Sequence, residues 1–389
     1  MVHSFKMKTL YESRNTIELI KKLSELGVPE NEYKVYLDRF LEFKARRLGI
    51  PMHGRFELTP LCNLDCKMCY VHLGVSQFNK NNLLSVNTWK ELISQAHEAG
   101  MINATLTGGE CLTYPGFDEI YLYLYSKGIV PGILSNGILI DEQRMNFFKE
   151  YPPRRIQVSV YGSSEDAYEL FTGKRVFSTV FRNLNLLKES KMPVSITITP
   201  SEYMAGDTRS ILEKVEELGI PYNINANLIP PRKNTGRKVR DLSIDQYVDL
   251  FEYRSSISHE VLNPVDPSEL PDESHEGNEQ YGLTCGAGRS SFAIKYDGKM
   301  CPCLSLDETI ADPLADGFSK AWKQINNLAN TYPLPVECGK CVYYDRCLRC
   351  VAMHKNAPNP GHCDPRICER TKKLTIAGFI PIPQINRIE

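Results

Sequence analysis

Two periodicities alternate along the middle of this chain. From residue 54 to about 225, short apolar runs of strand character are each followed by a stripe of apolar residues at helical spacing. Arg55-Phe-Glu-Leu-Thr59 reads as the first strand. Val86 to Ala99 reads as a helix capped by Ser85, with Trp89, Leu92, Ile93 and Ala96 on one face. Ala104–Thr107 is a second strand, and Phe117, Ile120, Tyr121 and Leu124 mark the next helix. Gly132–Ser135 is a third strand, with a helix from Asp141, and Arg155–Tyr161 is a fourth, with a helix near 176–190. Val194–Ile198 is a fifth, followed by a helix carrying Ile211, Leu212, Val215 and Leu218, and Tyr222–Asn225 is a sixth. Repeated βα units predict an α/β protein with a parallel sheet and helices outside it. Six units fall short of a closed eight-stranded barrel, so the expected fold is an open, partial (β/α)6 barrel of TIM type with its ligands at the C-terminal strand ends.

The flanks follow other patterns. Residues 7–49 read as two helices broken at Gly27-Val-Pro29, with stripes at Leu19, Ile20, Leu23, Leu26 and at Tyr33, Tyr36, Leu37, Phe40, Leu41. They form either a helical layer on the main domain or a docking surface for a peptide. Residues 255–284 contain no Lys or Arg, seven acidic residues and three prolines, which fits a solvated linker or a flap over the substrate. The expected organisation is a helical segment at 1–50, the partial barrel at 51–254, an acidic linker at 255–284 and a cysteine-rich domain at 285–389. Pro230 to Arg240 is a basic loop after the sixth strand, either simply exposed or facing an acidic substrate or the acidic linker.

Composition narrows the function classes. Of 389 residues, 42% are hydrophobic and 24% charged, and the net charge is −1, so nothing global points to nucleic acid. No apolar run approaches the roughly 20 residues of a membrane span, and the N-terminus lacks the apolar core of a secretory signal. The expectation is a cytoplasmic protein with no membrane partner. Three of the 13 cysteines lie at 62–69, one is Cys111, and nine lie between Cys285 and Cys368. Clustered cysteines in a long cytosolic chain indicate metal more often than disulfides.

Cys62, Cys66 and Cys69 have C-x3-C-x2-C spacing on a loop just after the first strand. An iron–sulfur cube usually takes four cysteines, so three on one loop leave one iron open to a small molecule. Gly108-Gly-Glu110 follows the second strand. The loop, this Gly-Gly-Glu and the βα repeats together resemble the radical S-adenosylmethionine (SAM) enzymes, over about residues 54–240. Met68 stands where an aromatic is commoner in that family, near the adenine, and Tyr70 follows Cys69. The resemblance implies that Cys62, Cys66 and Cys69 hold a [4Fe-4S] cluster and that SAM's amino and carboxylate groups chelate the open iron. It implies that Gly108 and Gly109 allow close backbone approach and that Glu110 holds the methionine ammonium. By family position, Asn136, Ser159 and Tyr70 join the cofactor site, although Asn136 and Ser159 also read as strand-end capping residues. Cys111, where proline is common, reads as a small buried thiol or as a hydrogen-atom donor near the radical's path.

The cysteine-rich end resembles the SPASM extension of peptide-modifying members of that family. Cys285-x12-Gly298-x4-Cys303 fits its opening, and Cys338-x2-Cys341-x5-Cys347-x2-Cys350 fits its next motif, one residue short at the last step. The resemblance implies two auxiliary [4Fe-4S] clusters. Cys285, Cys303 and Cys350 would bind the first, with Cys301, Cys363 or an open position as fourth ligand. Cys338, Cys341, Cys347 and Cys368 would bind the second. A pair of structural zinc sites is the alternative.

These resemblances imply an enzyme that cleaves SAM reductively to a 5′-deoxyadenosyl radical and oxidatively modifies a peptide or protein, for instance by a thioether or carbon–carbon crosslink in a ribosomal peptide. It would draw electrons from a donor such as flavodoxin or ferredoxin. An anaerobic sulfatase maturase forming formylglycine, a small-molecule dehydrogenase and a non-catalytic electron-transfer or zinc module are the alternatives.

Overall fold

The computed structural model describes residues 13–71, 73, 83–226, 228–229, 231–232, 240–258, 282–306, 310–347, 350–354, 359 and 361–379. The linker residues 259–281 and most of the basic loop, 233–239, lie outside them.

Two helices come first, α1 (Thr16–Glu25) and α2 (Tyr33–Leu48). Asn15 caps α1 by accepting from the Glu18 N–H, and Gly49 ends α2 in the left-handed region. Leu19, Leu23, Val28, Tyr36 and Phe40 make a small core between them.

The βα units then follow as the hydrophobic pattern predicts. They are β1 (His53–Glu57), α3 (Val86–Glu98), β2 (Asn103–Thr107), α4 (Phe117–Ser126), β3 (Gly132–Ser135), α5 (Glu142–Glu150) and β4 (Arg155–Val160). Next come α6 (Glu165–Thr172), α7 (Phe177–Glu189), β5 (Val194–Ile198), α8 (Thr208–Leu218), β6 (Tyr222–Ile224) and α9 (Ile244–Ser258). Ser85 caps α3 as expected, accepting from the Thr88 N–H at 3.1 Å, and Asp141 caps α5. Helices α6 and α9 are additions to the sequence reading, and α9 carries residues 255–258 of the expected linker.

All six strands pair in parallel, in the order β6-β5-β4-β3-β2-β1. The sheet does not end at β1. A strand from the cysteine-rich region, β7 (Ser291–Ile294), pairs in parallel with β1, His53 opposite Ser291, and β8 (Met300–Cys301) adds an antiparallel edge. The barrel stays open, with β6 and β8 at its two edges. The opening cysteines of the C-terminal region are thereby built onto the same sheet as the first strand.

Alternation along the strands sorts the faces. Phe56, Leu106, Ile133, Ile156, Val158, Ile196 and Ile198 are buried on the helix-covered side. Phe56 meets Trp89 of α3 edge-on at 5.9 Å and Phe292 of β7 at 6.0 Å. Phe292 continues that core to Phe318 and Trp322 of α10 (Phe318–Thr331). Arg55, Glu57, Thr105, Thr107, Gln157, Ser159, Ser195 and Thr197 alternate with these residues, giving the sheet a polar face.

Helix α2 is fastened at the N-terminal strand ends. Glu42 Oε2 lies 2.7 Å from His53 Nε2, Ser290 Oγ donates to Glu42 Oε1, and Arg46 Nη2 donates to the Thr284 carbonyl at 3.0 Å. The C-terminal helix α11 (Pro365–Ile376) fastens to α9 and the barrel through Lys373–Asp245 at 2.6 Å and Arg370–Asp241 at 3.7 Å. Among the described residues no helix is long and apolar enough to cross a membrane.

Candidate active site

The cysteine loop and the Gly-Gly-Glu segment leave neighbouring parallel strands and stay in contact beyond the sheet. Gly109 N–H donates to the Thr59 carbonyl at 2.7 Å, and Glu110 N–H donates to the Leu61 carbonyl at 2.8 Å. This approach requires both glycines. A Cβ at Gly108 would stand 2.5 Å from Thr59 O, and one at Gly109 would stand 2.3 Å from Leu61 O.

Glu110 is 1% exposed. Its carboxylate accepts from the Asn136 N–H at 2.7 Å, the Leu112 N–H at 3.1 Å and the Ser135 hydroxyl at 3.1 Å. Burial raises its pKa against the pull of these donors. The Cys111 thiol also lies 3.7 Å from Oε1. Cys111 lies behind it, fully buried, donating to the Leu134 carbonyl at 3.3 Å; burial and the Glu110 charge push its thiol up. That is the environment of a small core thiol.

Asn136, at the exit of β3, joins the two motifs. Its Nδ2 donates to Asn63 Oδ1 at 2.7 Å and reaches Cys62 Sγ at 3.6 Å. The Leu64 N–H points at the same sulfur from 3.4 Å. Burial nevertheless pushes the Cys62 thiol up to about 11. The far side of the loop is tied to the last turn of α6, where Asp65 N–H donates to Thr172 O at 2.9 Å and Lys67 N–H to Phe171 O at 3.1 Å.

Two tyrosines outside the sequence reading border the loop. Tyr161, just past β4, shares a hydrogen bond with Ser159 and lies near Cys66, Cys69 and Cys62; burial and those cysteines raise its pKa. Tyr168 of α6 is fully buried near Cys66, its ring edge-on to Tyr161 at 6.4 Å. The expected Ser159 hydroxyl is therefore coupled to Tyr161.

Tyr70 turns the other way. It packs on Ala293, Cys301 and Leu304, and Arg232 stands over its ring at 5.9 Å. Arg232 also donates in bidentate fashion to the fully buried Glu57, at 2.9 and 2.6 Å, and its N–H donates to the Tyr70 carbonyl at 3.0 Å. At least this residue of the basic loop is neither exposed nor available to an acidic substrate.

The remaining cysteines form two groups. Cys285, Cys303 and Cys350 pack around Leu283, Ala287 and Leu306. Burial, then the neighbouring Cys303 and Cys285, push Cys350 up to about 12. Cys301 is fully buried on β8 near Cys303. Cys338, Cys341, Cys347, Cys363 and Cys368 line a single hollow, partly open to solvent, with Glu337, Tyr344 and Thr371. Cys363 corrects one expectation. It sits against Cys368, Sγ to Sγ 2.6 Å, in the second group and away from the first, because the Glu337 carboxylate holds its backbone N–H there at 3.0 Å. Among the described residues no three His, Cys, Asp or Glu converge tightly enough for a single metal ion.

Comparison with known proteins gives a family match over part of the chain. Residues 56–215 match the family model of the radical SAM superfamily. Two curated relatives come from Bacillus subtilis. The antilisterial bacteriocin subtilosin biosynthesis protein AlbA is 24% identical over 79% of this chain and 65% of its own length. The sporulation killing factor maturation protein SkfB is 25% identical over 70% and 66%. This chain therefore spans about two thirds of either relative. Among solved structures, Streptococcus suis SuiB bound to its precursor peptide SuiA aligns over 94% of this chain and 92% of its own, with a TM-score of 0.61 and 16% identity, a likeness of fold.

Proposed function

Residues 56–215 being a radical SAM domain, we propose that this chain is a radical SAM/SPASM enzyme that oxidatively modifies a ribosomally made peptide. The observation that carries the reading is the junction at Asn136, which touches Cys62 with its side chain and Glu110 with its backbone.

The donor set fits the cofactors. Cys62, Cys66 and Cys69 supply three thiolates to a [4Fe-4S] cluster, and its open iron suits a chelating amino acid such as SAM. Gly108 and Gly109 let the Gly-Gly-Glu segment lie directly against the backbone of the cysteine loop, where a Cβ would meet Thr59 O and Leu61 O. Glu110 would hold the SAM ammonium by a charge-assisted hydrogen bond, and Asn136 and Ser159 would orient the ribose or methionine part. Bound together, the cluster and SAM supply a 5′-deoxyadenosyl radical able to take hydrogen from unactivated carbon. The chain's own task is to place the peptide near that point and keep water away. The polar face of the open sheet offers hydrogen-bonding groups for a peptide backbone.

The C-terminal thiols fit auxiliary clusters. Cys285, Cys303 and Cys350, with Cys301 nearby, hold the first. Cys338, Cys341, Cys347, Cys363 and Cys368 offer five thiols for the second, one more than a cube requires. Such sites suit net oxidation, as in a thioether or carbon–carbon crosslink. The names of AlbA and SkfB, both tied to peptide products, support a peptide substrate. The enzyme works in the cytoplasm, where thiols stay reduced, with flavodoxin or ferredoxin as electron donor.

The test is coexpression with the short reading frame beside this gene under anaerobic conditions, followed by mass spectrometry of the peptide. A loss of two hydrogens that requires intact Cys66 supports the reading. An unmodified peptide, with the enzyme carrying about twelve irons per chain for three cubes, overturns it.

A further inference from the structure

Five thiols line the hollow at the C-terminal end, and a cube takes four. Cys363 and Cys368 are the two that share one place in it. Their sulfurs stand 2.6 Å apart, with the Cys368 thiol directed at Cys363. Thiolates on different irons of a cube point away from one another, since each leaves its own corner outward. Two sulfurs this close serve the same corner.

Each thiol is held there by its own element. Cys363 follows a turn pinned beside Cys338. Val336 N–H donates to the Gly361 carbonyl at 3.2 Å, and the Glu337 carboxylate meets His362 Nδ1 at 2.7 Å and the Cys363 N–H at 3.0 Å. Cys368 sits in the first turn of α11, where its N–H donates to the Asp364 carbonyl at 3.2 Å. Three residues on, Thr371 Oγ1 lies 3.7 Å from Cys347 Sγ. One thiol is thus anchored next to Cys338 and the other next to Cys347. Either completes a set of four with Cys338, Cys341 and Cys347.

We propose that Cys363 and Cys368 are interchangeable ligands of one iron of the second auxiliary cluster, one bound while the other stands beside it as a free thiol. The proposal rests on the auxiliary-cluster reading above. In the exchange the entering thiol gives up its proton and binds, and the leaving thiolate parts from the iron and takes that proton. No electron moves.

The test uses the full chain, loaded anaerobically, and reads iron content in wild type, Cys363→Ala, Cys368→Ala and the double variant. The proposal expects about twelve irons per chain in wild type and in both single variants, and about eight in the double variant. Loss of about four irons in either single variant makes that cysteine the sole ligand and overturns the proposal. A double variant that keeps all its iron overturns it too. If a variant fails to fold, alkylation of the loaded wild-type chain with iodoacetamide decides. Trypsin cuts after Arg366, so the two cysteines fall on separate peptides. The proposal expects one label per chain, divided between the two peptides, with the iron kept. A label confined to one peptide, two labels per chain, or none on either overturns it. In all these cases the auxiliary-cluster reading stands. A wild-type chain with only about four irons overturns that reading, and the proposal with it.

Discussion

Asn136 and Glu110 meet at 2.7 Å, backbone N–H to Oε2, where the exits of β3 and β2 converge. The same asparagine's amide lies 3.6 Å from Cys62 Sγ. One residue thus sets the spacing between the group that would hold SAM's ammonium and a cysteine that would hold its iron. Asn136→Ala keeps the backbone bond and removes the side-chain bridge. SAM affinity, measured by equilibrium dialysis on iron-loaded protein, should fall five- to thirtyfold, or about 1–2 kcal/mol. Unchanged affinity would contradict a role for the bridge.

Gly109→Ala places a Cβ 2.3 Å from the Leu61 carbonyl, a backbone atom that cannot step aside. The Gly-Gly-Glu segment must then part from the cysteine loop. The expected result is a folded chain that has lost SAM binding by at least tenfold and about 1–3 kcal/mol of stability, the range for overpacking. Calorimetric titration and thermal melting read the two effects, and wild-type values in both would refute the close approach.

Glu57 and Arg232 are buried together, with side-chain exposures of 0% and 11%. Arg232→Ala leaves a buried carboxylate unpaired and should cost about 3–5 kcal/mol in denaturant unfolding. Removing both charges should cost clearly less than the sum of the single changes. Additive single and double changes would show that the pair is not coupled.

The α2 contact gives a pH dependence. Burial pushes the Glu42 carboxyl up, but the His53 hydrogen bond and charge, with Ser290 and Arg46, outweigh it and hold the pKa below 4.5. Glu42 should therefore contribute stability that is fully present above pH 4.5 and lost as the pH falls through its lowered value. Glu42→Gln should cost about 1–3 kcal/mol at neutral pH, with the gap from wild type narrowing in acid. Urea unfolding across that range checks it, and a gap that stays constant to pH 3 would contradict the assignment.

The six parallel strands were legible because each combines strand-forming residues with a following 3.6-residue stripe. Val194–Ile198 and Gly132–Ser135 read from sequence with the observed bounds. Strand β7 was not legible, since it has four residues and its partner β1 lies more than 230 residues earlier. Helix α6 has only eight residues, a stripe too short to separate from the loop around it. In the site, Cys62, Glu110 and Asn136 could be picked by motif and strand position. Tyr161 and Tyr168 could not, because nothing in a local window tells a phenol that packs from one that faces a cysteine loop. Arg232 looked like one cation of an exposed basic run; only the fold brings it to Glu57. Cys363 was indistinguishable by spacing from a ligand of the first cysteine group, and its placement depends on the Glu337 contact.

The central claim is that Cys62, Cys66 and Cys69, with Gly108-Gly-Glu110, form a SAM-cleaving centre. The most direct measurement is 5′-deoxyadenosine formed from SAM by reduced, iron-loaded protein without oxygen, in wild type and in a chain with the three loop cysteines changed to alanine. The account predicts at least one 5′-deoxyadenosine per wild-type chain and none from the variant, which keeps its C-terminal iron. No 5′-deoxyadenosine from fully loaded wild type, or equal amounts from both, would contradict it.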